Sequence, residues 1–262
     1  MKAALSIAGS DCSGGAGIQA DLKTFSALGV FGMSAVTSIV AENTVRVIEY
    51  QDARPDIIEK QIDAVFEDIP PDATKVGMLS CAATMEAVAG RLRALRPRNL
   101  VVDPVMYAKN GCALMDPEAV ALLASLIVPL ADVVTPNIPE AEKMAGMKIA
   151  GLEGMREAAG RILAMGCGAV VLKGGHAEGD AIDVLLDGSG FLEFPAPRID
   201  TRHTHGTGCA FSSAIAACLA LGLPLGEAVG RAKAYISAAI AAAPGLGKGS
   251  GPVHHFHAMR AG

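Results

Sequence analysis

The sequence has 262 residues, of which 51% are hydrophobic, and a formal net charge of -5 from 22 Lys+Arg and 27 Asp+Glu. It has no basic cluster, only 3 tyrosines and no tryptophan, so we expect no nucleic-acid partner, because such surfaces need positive charge and stacking aromatics. No Ser-, Pro- or charge-rich linker divides the chain, which predicts a single domain over residues 1–262.

The cysteines and the start of the chain indicate a cytoplasmic location. The 6 cysteines form no Cys-x-x-Cys pair, and the chain is far longer than disulfide-stapled domains, so we expect reduced thiols. The segment MKAALSIAGSDCSGG has a very short apolar run and is more typical of a first strand than of a signal peptide. The uncharged stretch 203–226 is interrupted by Ser212, Ser213, Gly222 and Pro224. It therefore predicts a buried helix, not a membrane span.

Short apolar segments alternate with helical patterns along the chain. Strands are predicted at 3–8, 33–41, 46–50 as a short edge strand, 74–79, 99–104, 132–137 and 169–175, with a late hairpin at 181–187 and 190–196. Helices are predicted at 17–28, 56–68, 84–95, 117–127, 139–145, 153–165, 208–221 and 226–242. This alternation predicts an α/β fold with a doubly wound, mostly parallel central sheet and helices on both faces.

Polar residues follow three neighbouring predicted strands. Asp103 lies at the end of one strand, Thr135 and Asn137 at the end of the next, with Glu140 at the start of the following helix, and Lys173 at the end of the third. Ligands of open α/β sheets bind at this edge, so these side chains are expected to converge. Carboxylates suit Mg²⁺, and a lysine suits phosphoryl oxygens. The alternative is a turn residue at Asp103 and a helix cap at Asn137, but the repetition over three strands favours a site.

The stretch HTHGTGC places Gly206, Thr207 and Gly208 before an apolar helix. Backbone N–H groups at a helix N-terminus favour negative charge, so we expect an anion site here; the alternative is a glycine-rich turn without a ligand. Cys209 follows at once. A helix N-terminus lowers a thiol pKa, which would give a general base. A covalent nucleophile and a buried thiol without a chemical role are the alternatives.

Other motifs give weaker hypotheses. Lys248 is followed by Gly249, so no Walker motif is present. Residues 15–20 match Gly-x-Gly-x-x-Ala, and Glu42 follows at the right distance, which leaves an NAD(P)-dependent oxidoreductase as an alternative. Five residues nevertheless separate this motif from the preceding strand, where the fingerprint needs direct contact. The histidines, which lack a metal-binding spacing, are expected on the surface or in packing roles: His203, His205, His254, His255 and His257.

Several segments together resemble hydroxymethylpyrimidine/phosphomethylpyrimidine kinases of thiamin biosynthesis, in the ribokinase-like superfamily. They are AGSDCSGGAGIQADLKTFSALGVFG, VAENT, KVGML, VVDPVM, TPNIPEAE, LKGGH, HTHGTGC and GKGSGPVHHFH. The resemblance implies phosphorylation of 4-amino-5-hydroxymethyl-2-methylpyrimidine by Mg-ATP, first to the monophosphate and then to the diphosphate. It also implies a cytoplasmic homodimer with a small-molecule partner. Pyridoxal or pyridoxine kinase activity is the nearest alternative, and a silent pyrimidine-binding protein is another.

The resemblance also implies roles for individual residues. Asp103 and Glu140 would place Mg²⁺. ATP would be bound by Asn137, by Lys173 and by Lys248, which lies in a tail near the adenine. Gly206, Thr207 and Gly208 would hold the transferring phosphoryl group beside the catalytic Cys209, where related sugar kinases have aspartate. Glu42 would contact the pyrimidine edge, its carboxyl accepting from the exocyclic amine. The other residues expected to line the pyrimidine pocket are Gly9, Ala16, Asp21, Met78 and Val105. The sequence departs from the family pattern at Cys12 and in a variable loop with Tyr107, Asn110 and Cys112.

Overall fold

The computed structural model describes residues 1–107, 115, 117–175 and 180–259, so the predicted loop residues Asn110 and Cys112 lie outside the described part. The strands are β1 (Ala3–Ala8), β2 (Phe31–Val36), β3 (Ser38–Glu42), β4 (Val47–Asp52), β5 (Ala73–Val76), β6 (Leu100–Val102), β7 (Val133–Val134), β8 (Val170–Leu172), β9 (Asp183–Asp187) and β10 (Gly190–Phe194). The helices are α1 (Gly17–Ala27), α2 (Pro55–Asp68), α3 (Ala82–Leu95), α4 (Pro117–Leu122), α5 (Ile138–Ala145), α6 (Gly151–Leu163), α7 (Thr207–Ala220) and α8 (Leu225–Ala241).

The central sheet is mostly parallel, as predicted. Across the described residues it has 8 strands in the order β10-β9-β8-β7-β6-β5-β1-β2. In this sheet, the neighbouring strands β8, β7, β6, β5, β1 and β2 pair in parallel. Strand β9 pairs antiparallel with β8 and with β10. The late hairpin is therefore confirmed as an antiparallel extension of the sheet.

Each face of the sheet has its own hydrophobic core, so the doubly wound arrangement is confirmed. Leu5 and Ile7 of β1 join a core with α2, α3, α5 and α6, whereas Ala4 joins a second core with α1, α7 and α8. This alternation follows from the period of two along a strand. Helix α7 is buried over most of its length, because it lies against the sheet with α8 packed beside it. Among the described residues, no helix could span a membrane.

The predicted strand 33–41 is wrong as a single element. The chain breaks at the buried Thr37, after which β3 leaves the central sheet and forms a separate two-stranded sheet with β4. The Thr37 amide donates to the Ala8 carbonyl at 2.9 Å, and its hydroxyl donates to the Met78 carbonyl at 2.9 Å. Both bonds attach the turning point to the sheet edge. The sequence MSAVTSIVA is continuously apolar or small, so no change of pattern marks the break.

The predicted helix at 117–127 also differs in detail. Helix α4 ends at Leu122, and the chain continues through a π-helical turn, Leu123–Ile127, and a 3-10 turn, Val128–Leu130. Leu123, Ile127 and Val128 are buried in the first core, so the helical pattern is correct although the hydrogen-bond spacing changes. None of the described residues of these elements lines either cavity of the candidate site.

Candidate active site

A cavity of about 340 Å³ opens at the carboxyl ends of the parallel strands. It lies between those strand ends, the start of α7 and the β3–β4 hairpin. The lining contains every residue predicted from the sequence except Asp21 and Lys248. These lining residues are Gly9, Ala16, Glu42, Met78, Asp103, Val105, Asn137, Glu140, Lys173, Gly206, Thr207, Gly208 and Cys209. We call this space the first cavity.

A second cavity of about 410 Å³ adjoins the first. Its other walls come from α7, from α8, from the end of β8 and from the chain after β10, and include Phe211, Lys233 and Ile236. The two cavities share five lining residues, which mark their junction. These are Asn137, Lys173, Thr204, Thr207 and Gly208. Two ligands in the two cavities would therefore meet at the start of α7.

The start of α7 is an uncapped helix N-terminus. Gly206 has φ +76°, and among the described residues no side chain caps this helix. A Cβ at Gly206 would lie 1.8 Å from the Gly15 carbonyl oxygen, so only glycine fits this close approach. The first amides of a helix have no partner within it. Thr207 and Gly208 of this first turn line both cavities, so the positive end of the helix dipole suits an anion at the junction.

Asp103 and Lys173 form an ion pair at the same junction. The Lys173 Nζ lies 2.8 Å from the Asp103 Oδ1. A Cβ added at Gly208 would lie 3.4 Å from both the Asp103 Oδ2 and the Lys173 Nζ. The absence of a side chain at Gly208 therefore leaves the ion pair open to the start of α7. A carboxylate and an ammonium group thus share the position where the two cavities meet.

Asn137 and Glu140 cap helix α5. The Glu140 amide donates to the Asn137 Oδ1 at 3.0 Å, and the Asn137 amide donates to the Glu140 Oε2 at 2.8 Å. This capping box confirms the helix-cap alternative for Asn137, which nevertheless lines both cavities. Burial and the nearby charge of Asp103 raise the pKa of Glu140 to about 7, against the opposing effect of Lys173. A cation beside these two carboxyl groups would stabilise the ionised form of Glu140.

The structure does not support the lowered thiol pKa expected for Cys209. Burial raises the pKa of Cys209 to about 12, and the carboxylates of Asp21 and Asp103 act in the same direction. Lys75 and the Gly17 amide oppose the shift but do not overcome it. The thiol is therefore protonated at neutral pH, because burial disfavours the thiolate more than Lys75 and the Gly17 amide favour it.

Glu42 reaches the first cavity from β3, beside two residues that the sequence analysis missed. The Asp11 Oδ2 lies 2.8 Å from the His205 Nε2 and also accepts from the amides of Gly15 and Ala16 at 2.9 and 2.7 Å. Burial and the charge of Asp11 raise the pKa of Glu42 to about 7, whereas His205 lowers it. The ligand atoms of Asp11, Glu42 and His205 lie within 4.8 Å of one another.

The same contacts argue against a dinucleotide-binding site at residues 15–20. A dinucleotide fold needs free backbone amides at the pyrophosphate. Here the amides of Gly15 and Ala16 already donate to Asp11. The Ile18 amide donates to the Gly9 carbonyl at 3.0 Å. This glycine-rich turn therefore binds a carboxylate of its own chain.

His205 was expected in a surface or packing role. The structure instead places it in the lining of the first cavity.

Asp21 and Lys248 lie outside both cavities. Asp21 is fully buried beneath the first cavity, where its carboxylate pairs with Lys75, a cavity-lining residue that the sequence analysis also missed. The tail containing Lys248 packs on the β3–β4 hairpin instead of the second cavity. The Gly249 amide, for example, donates to the Thr44 Oγ1 at 3.1 Å. A lysine within the strand ATKV was the available signal for Lys75, because buried strands seldom carry a charge.

A sequence model of the phosphomethylpyrimidine kinase family matches residues 11–254. The chain belongs to the phosphomethylpyrimidine kinase family. It is 55% identical over 258 residues to a hydroxymethylpyrimidine/phosphomethylpyrimidine kinase of Rhizobium meliloti, with 97% of each chain covered. It is 48% identical over 259 residues to the Escherichia coli protein of the same name, again with 97% of each covered.

Some members of the family are longer than this chain. The chain is 52% identical over 255 residues to the thiamine biosynthesis bifunctional protein ThiED of Geobacter sulfurreducens, with 97% of the chain covered. It spans about half the length of that relative, 52%. The kinase family match therefore corresponds to one part of that bifunctional protein.

Solved structures agree with the fold and with the family. An ADP complex of Bacillus subtilis pyridoxal kinase has a TM-score of 0.92 and 40% identity, and 98% of each chain is covered. A phosphomethylpyrimidine kinase of Clostridium difficile has a TM-score of 0.82 and 46% identity, covering 90% of this chain and 98% of that one. The kinase thus has the ribokinase-like fold that the sequence resemblance implied.

Proposed function

We propose that this kinase uses Mg-ATP to phosphorylate 4-amino-5-hydroxymethyl-2-methylpyrimidine to its monophosphate and then to its diphosphate, for thiamin biosynthesis. One observation carries the proposal: two adjoining cavities share Lys173 and the uncapped start of α7. Phosphoryl transfer depends mainly on positioning and on charge stabilisation, and this junction supplies both. The family match and the relatives' names support the reaction class and the acceptor.

The first cavity suits the aminopyrimidine. Met78, Val40 and Val105 belong to one apolar cluster and give a slot for a flat ring. Glu42 lies at the polar end, where its carboxyl group can accept from the exocyclic amine and, when protonated, donate to a ring nitrogen. The hydroxymethyl group would then point toward Cys209 and the junction.

The second cavity suits the nucleotide. Its phosphate chain would reach the junction at Lys173 and the α7 amides, and its base would lie toward α8 against Ile236 and Ile240. The related pyridoxal kinases of Bacillus subtilis and Staphylococcus aureus were solved with ADP, which supports ATP as the phosphoryl donor. We assign no nucleotide contact to Lys248, because its segment packs on the hairpin.

The carboxyl groups at the junction fit a magnesium ion. Mg²⁺ in nucleotide sites takes one or two carboxylates and completes its shell with phosphates and water. Asp103 and Glu140 supply two carboxyl groups, and the raised pKa of Glu140 marks a buried group that lacks a full counter-charge. Asp103 and Glu140 would hold the ion, which would neutralise charge on the phosphates. Glycine at 208 leaves space for the transferring group.

The test is ATP consumption with hydroxymethylpyrimidine as acceptor, with and without Mg²⁺, and with the mono- and diphosphate products separated by chromatography. We expect both products to form in sequence and both to require Mg²⁺. Pyridoxal is assayed in parallel, because the sequence relatives described above favour pyrimidine whereas several similar solved structures are pyridoxal kinases. If only pyridoxal is phosphorylated, pyridoxal replaces the pyrimidine as the proposed acceptor. If neither pyridoxal nor the pyrimidine is phosphorylated, the kinase assignment is refuted.

The β3–β4 hairpin supports a homodimer of the single domain 1–262. Ile39 and Ile48 on this hairpin are 64% and 61% exposed, and exposed apolar groups in one region are typical of interfaces. Wild-type protein should therefore elute with twice the chain mass of 26.7 kDa in size-exclusion chromatography with light scattering.

Substituting Ile39→Lys and Ile48→Lys together should give monomers, since buried unpaired charge disfavours association. The matched control is Leu221→Lys, which changes an exposed apolar residue at the far end of α7 and should leave the dimer intact. A dimer that survives the double substitution would place the interface elsewhere.

A further inference from the structure

Lys75 is a buried cation at the floor of the first cavity. It lies in β5 with its side chain fully buried, and it lines the first cavity with Cys209 but does not line the second. The Lys75 Nζ lies 2.8 Å from the Asp21 Oδ2. Although burial opposes its charge, the carboxylates of Asp21 and Asp103 raise the pKa of Lys75, so it remains an ammonium ion.

Asp21 holds this ammonium group in one place. The Ser6 hydroxyl donates to the Asp21 Oδ2 at 2.6 Å, and the Ser213 hydroxyl donates to the Asp21 Oδ1 at 2.7 Å. The pair therefore connects β1, α1, β5 and α7 beneath the cavity. Gly77 leaves room above it, because a Cβ there would lie 2.7 Å from the Lys75 Nζ.

A buried ion pair of this kind needs an explanation beyond stability. Apolar residues of similar volume often replace buried ion pairs without loss of stability. Ala73, two residues earlier on the same face of β5, is buried in the second core, so an apolar residue at position 75 would suit that core. The ion pair instead places a fixed ammonium group beside the proposed acceptor end of the cavity, and because neither side chain has exposed surface, its electrostatic effects there are strong.

We propose that Lys75 is a further catalytic residue, whose ammonium group stabilises the negative charge that develops on the hydroxymethyl oxygen during the first phosphorylation. The inference rests on the proposed function. In this step the hydroxymethyl oxygen forms a bond to the γ-phosphorus while the bond between that phosphorus and the β,γ-bridging oxygen breaks, and ADP leaves. The hydroxyl proton passes to an oxygen of the transferred phosphoryl group.

The roles of the two lysines differ because only Lys173 also lines the second cavity. Lys173 lines both cavities and pairs with Asp103 at the junction, so it acts on the phosphoryl group in both steps. Lys75 lines only the first cavity. In the second step the attacking atom is an oxygen of the phosphate already attached, which lies farther from the cavity floor and is already charged. Loss of Lys75 should therefore affect the first step more than the second.

The test uses the double variant K75M/D21N, since K75M alone would leave Asp21 buried without its counter-charge. The amide introduced by D21N can still bond to Ser6 and Ser213, and K60M, which changes an exposed lysine on α2, is the control. We expect kcat of the first step to fall about 30-fold. The KM values for pyrimidine and ATP, the second step and the melting temperature should stay near wild type, as should every property of K60M.

A second readout does not depend on turnover. Lys75 lowers the pKa of Cys209 more strongly than Asp21 raises it, so the joint loss of both charges in K75M/D21N should slow alkylation of Cys209 by iodoacetamide, followed by peptide mass spectrometry. Equal loss of both steps with a lower melting temperature, or an unchanged first step, would overturn the catalytic role. If wild-type protein does not phosphorylate the pyrimidine, the proposed function fails, whereas unchanged alkylation in K75M/D21N would refute the electrostatic effect of Lys75 itself.

Discussion

Replacing Cys209 with alanine is expected to lower the rate of hydroxymethylpyrimidine phosphorylation about 100-fold, because a misplaced acceptor hydroxyl loses its in-line geometry. The second phosphorylation should change less than about threefold, because its nucleophile is an oxygen of the attached phosphate and not the hydroxymethyl oxygen that Cys209 is proposed to position. The measurement is single-turnover kinetics of each step with purified substrates. Equal losses in both steps would contradict a role confined to the hydroxymethyl group.

Two companion variants separate positioning from base catalysis. The raised pKa of Cys209, about 12, disfavours a resting thiolate base, so we expect the thiol to position the hydroxyl. Cys209→Ser, which retains a hydrogen-bonding group, should therefore keep most of the first-step activity. Two results together would support the thiolate mechanism instead. Cys209→Ser would be as inactive as Cys209→Ala, and the first-step rate of the wild-type protein would rise tenfold per pH unit. Cys218→Ala, a buried cysteine on the same helix, should leave both steps unchanged.

Substitution of Glu42 should remove most of the affinity for the pyrimidine. Two hydrogen bonds to a charged or proton-sharing carboxyl group contribute about 1.5–3 kcal/mol each, so Glu42→Ala should raise the Kd about 100-fold or more. Isothermal titration with hydroxymethylpyrimidine measures it. The control, Glu49→Ala, removes an exposed carboxylate from the other strand of the same hairpin and should bind like wild type. A wild-type Kd in Glu42→Ala would remove Glu42 from the pyrimidine site.

The affinity should also depend on pH through Glu42. Burial and Asp11 raise the pKa of Glu42 to about 7 from 4.5, so the protonated form persists near neutrality and is lost as the pH rises above that value. A complex that shares one proton between Glu42 and the ring should therefore weaken about tenfold per pH unit above pH 7. Glu42→Gln keeps a donor and an acceptor, so its binding should be independent of pH from 6 to 9. A pH dependence in Glu42→Gln equal to that of wild type would assign the proton to another group.

The central sheet and the junction were predictable because strong local patterns determine them. Three apolar strands are followed or ended by polar residues, which are Asp103, Asn137 and Lys173. Parallel pairing of these strands is enough to bring the three side chains together. The start of α7 was marked by glycines before a helix without charges. Sequence similarity to a known family gave the same residues and added the acceptor.

The parts that were not predictable depend on contacts distant in sequence. Asp11 and His205 are 194 residues apart, and their hydrogen bond has no local signal. The protonated state of Cys209 follows from how deeply the folded chain buries the thiol, whereas the sequence shows only the helix N-terminus. Thr37 and the turn away from the sheet depend on the carbonyls of Ala8 and Met78, which the strand pattern does not reveal.

The break at Thr37 has a consequence for how acceptor preference can change. Glu42 stands on a hairpin outside the central sheet, whereas Asp103, Lys173 and the start of α7 belong to the sheet edge and its helices. Under the proposed site assignment, substitutions on the hairpin should therefore alter which heteroaromatic alcohol is accepted and leave in place the groups proposed to transfer the phosphoryl. Two vitamin precursors with the same hydroxymethyl group could thus be served by one phosphoryl-transfer apparatus, with the choice between them encoded in a few residues of β3 and β4.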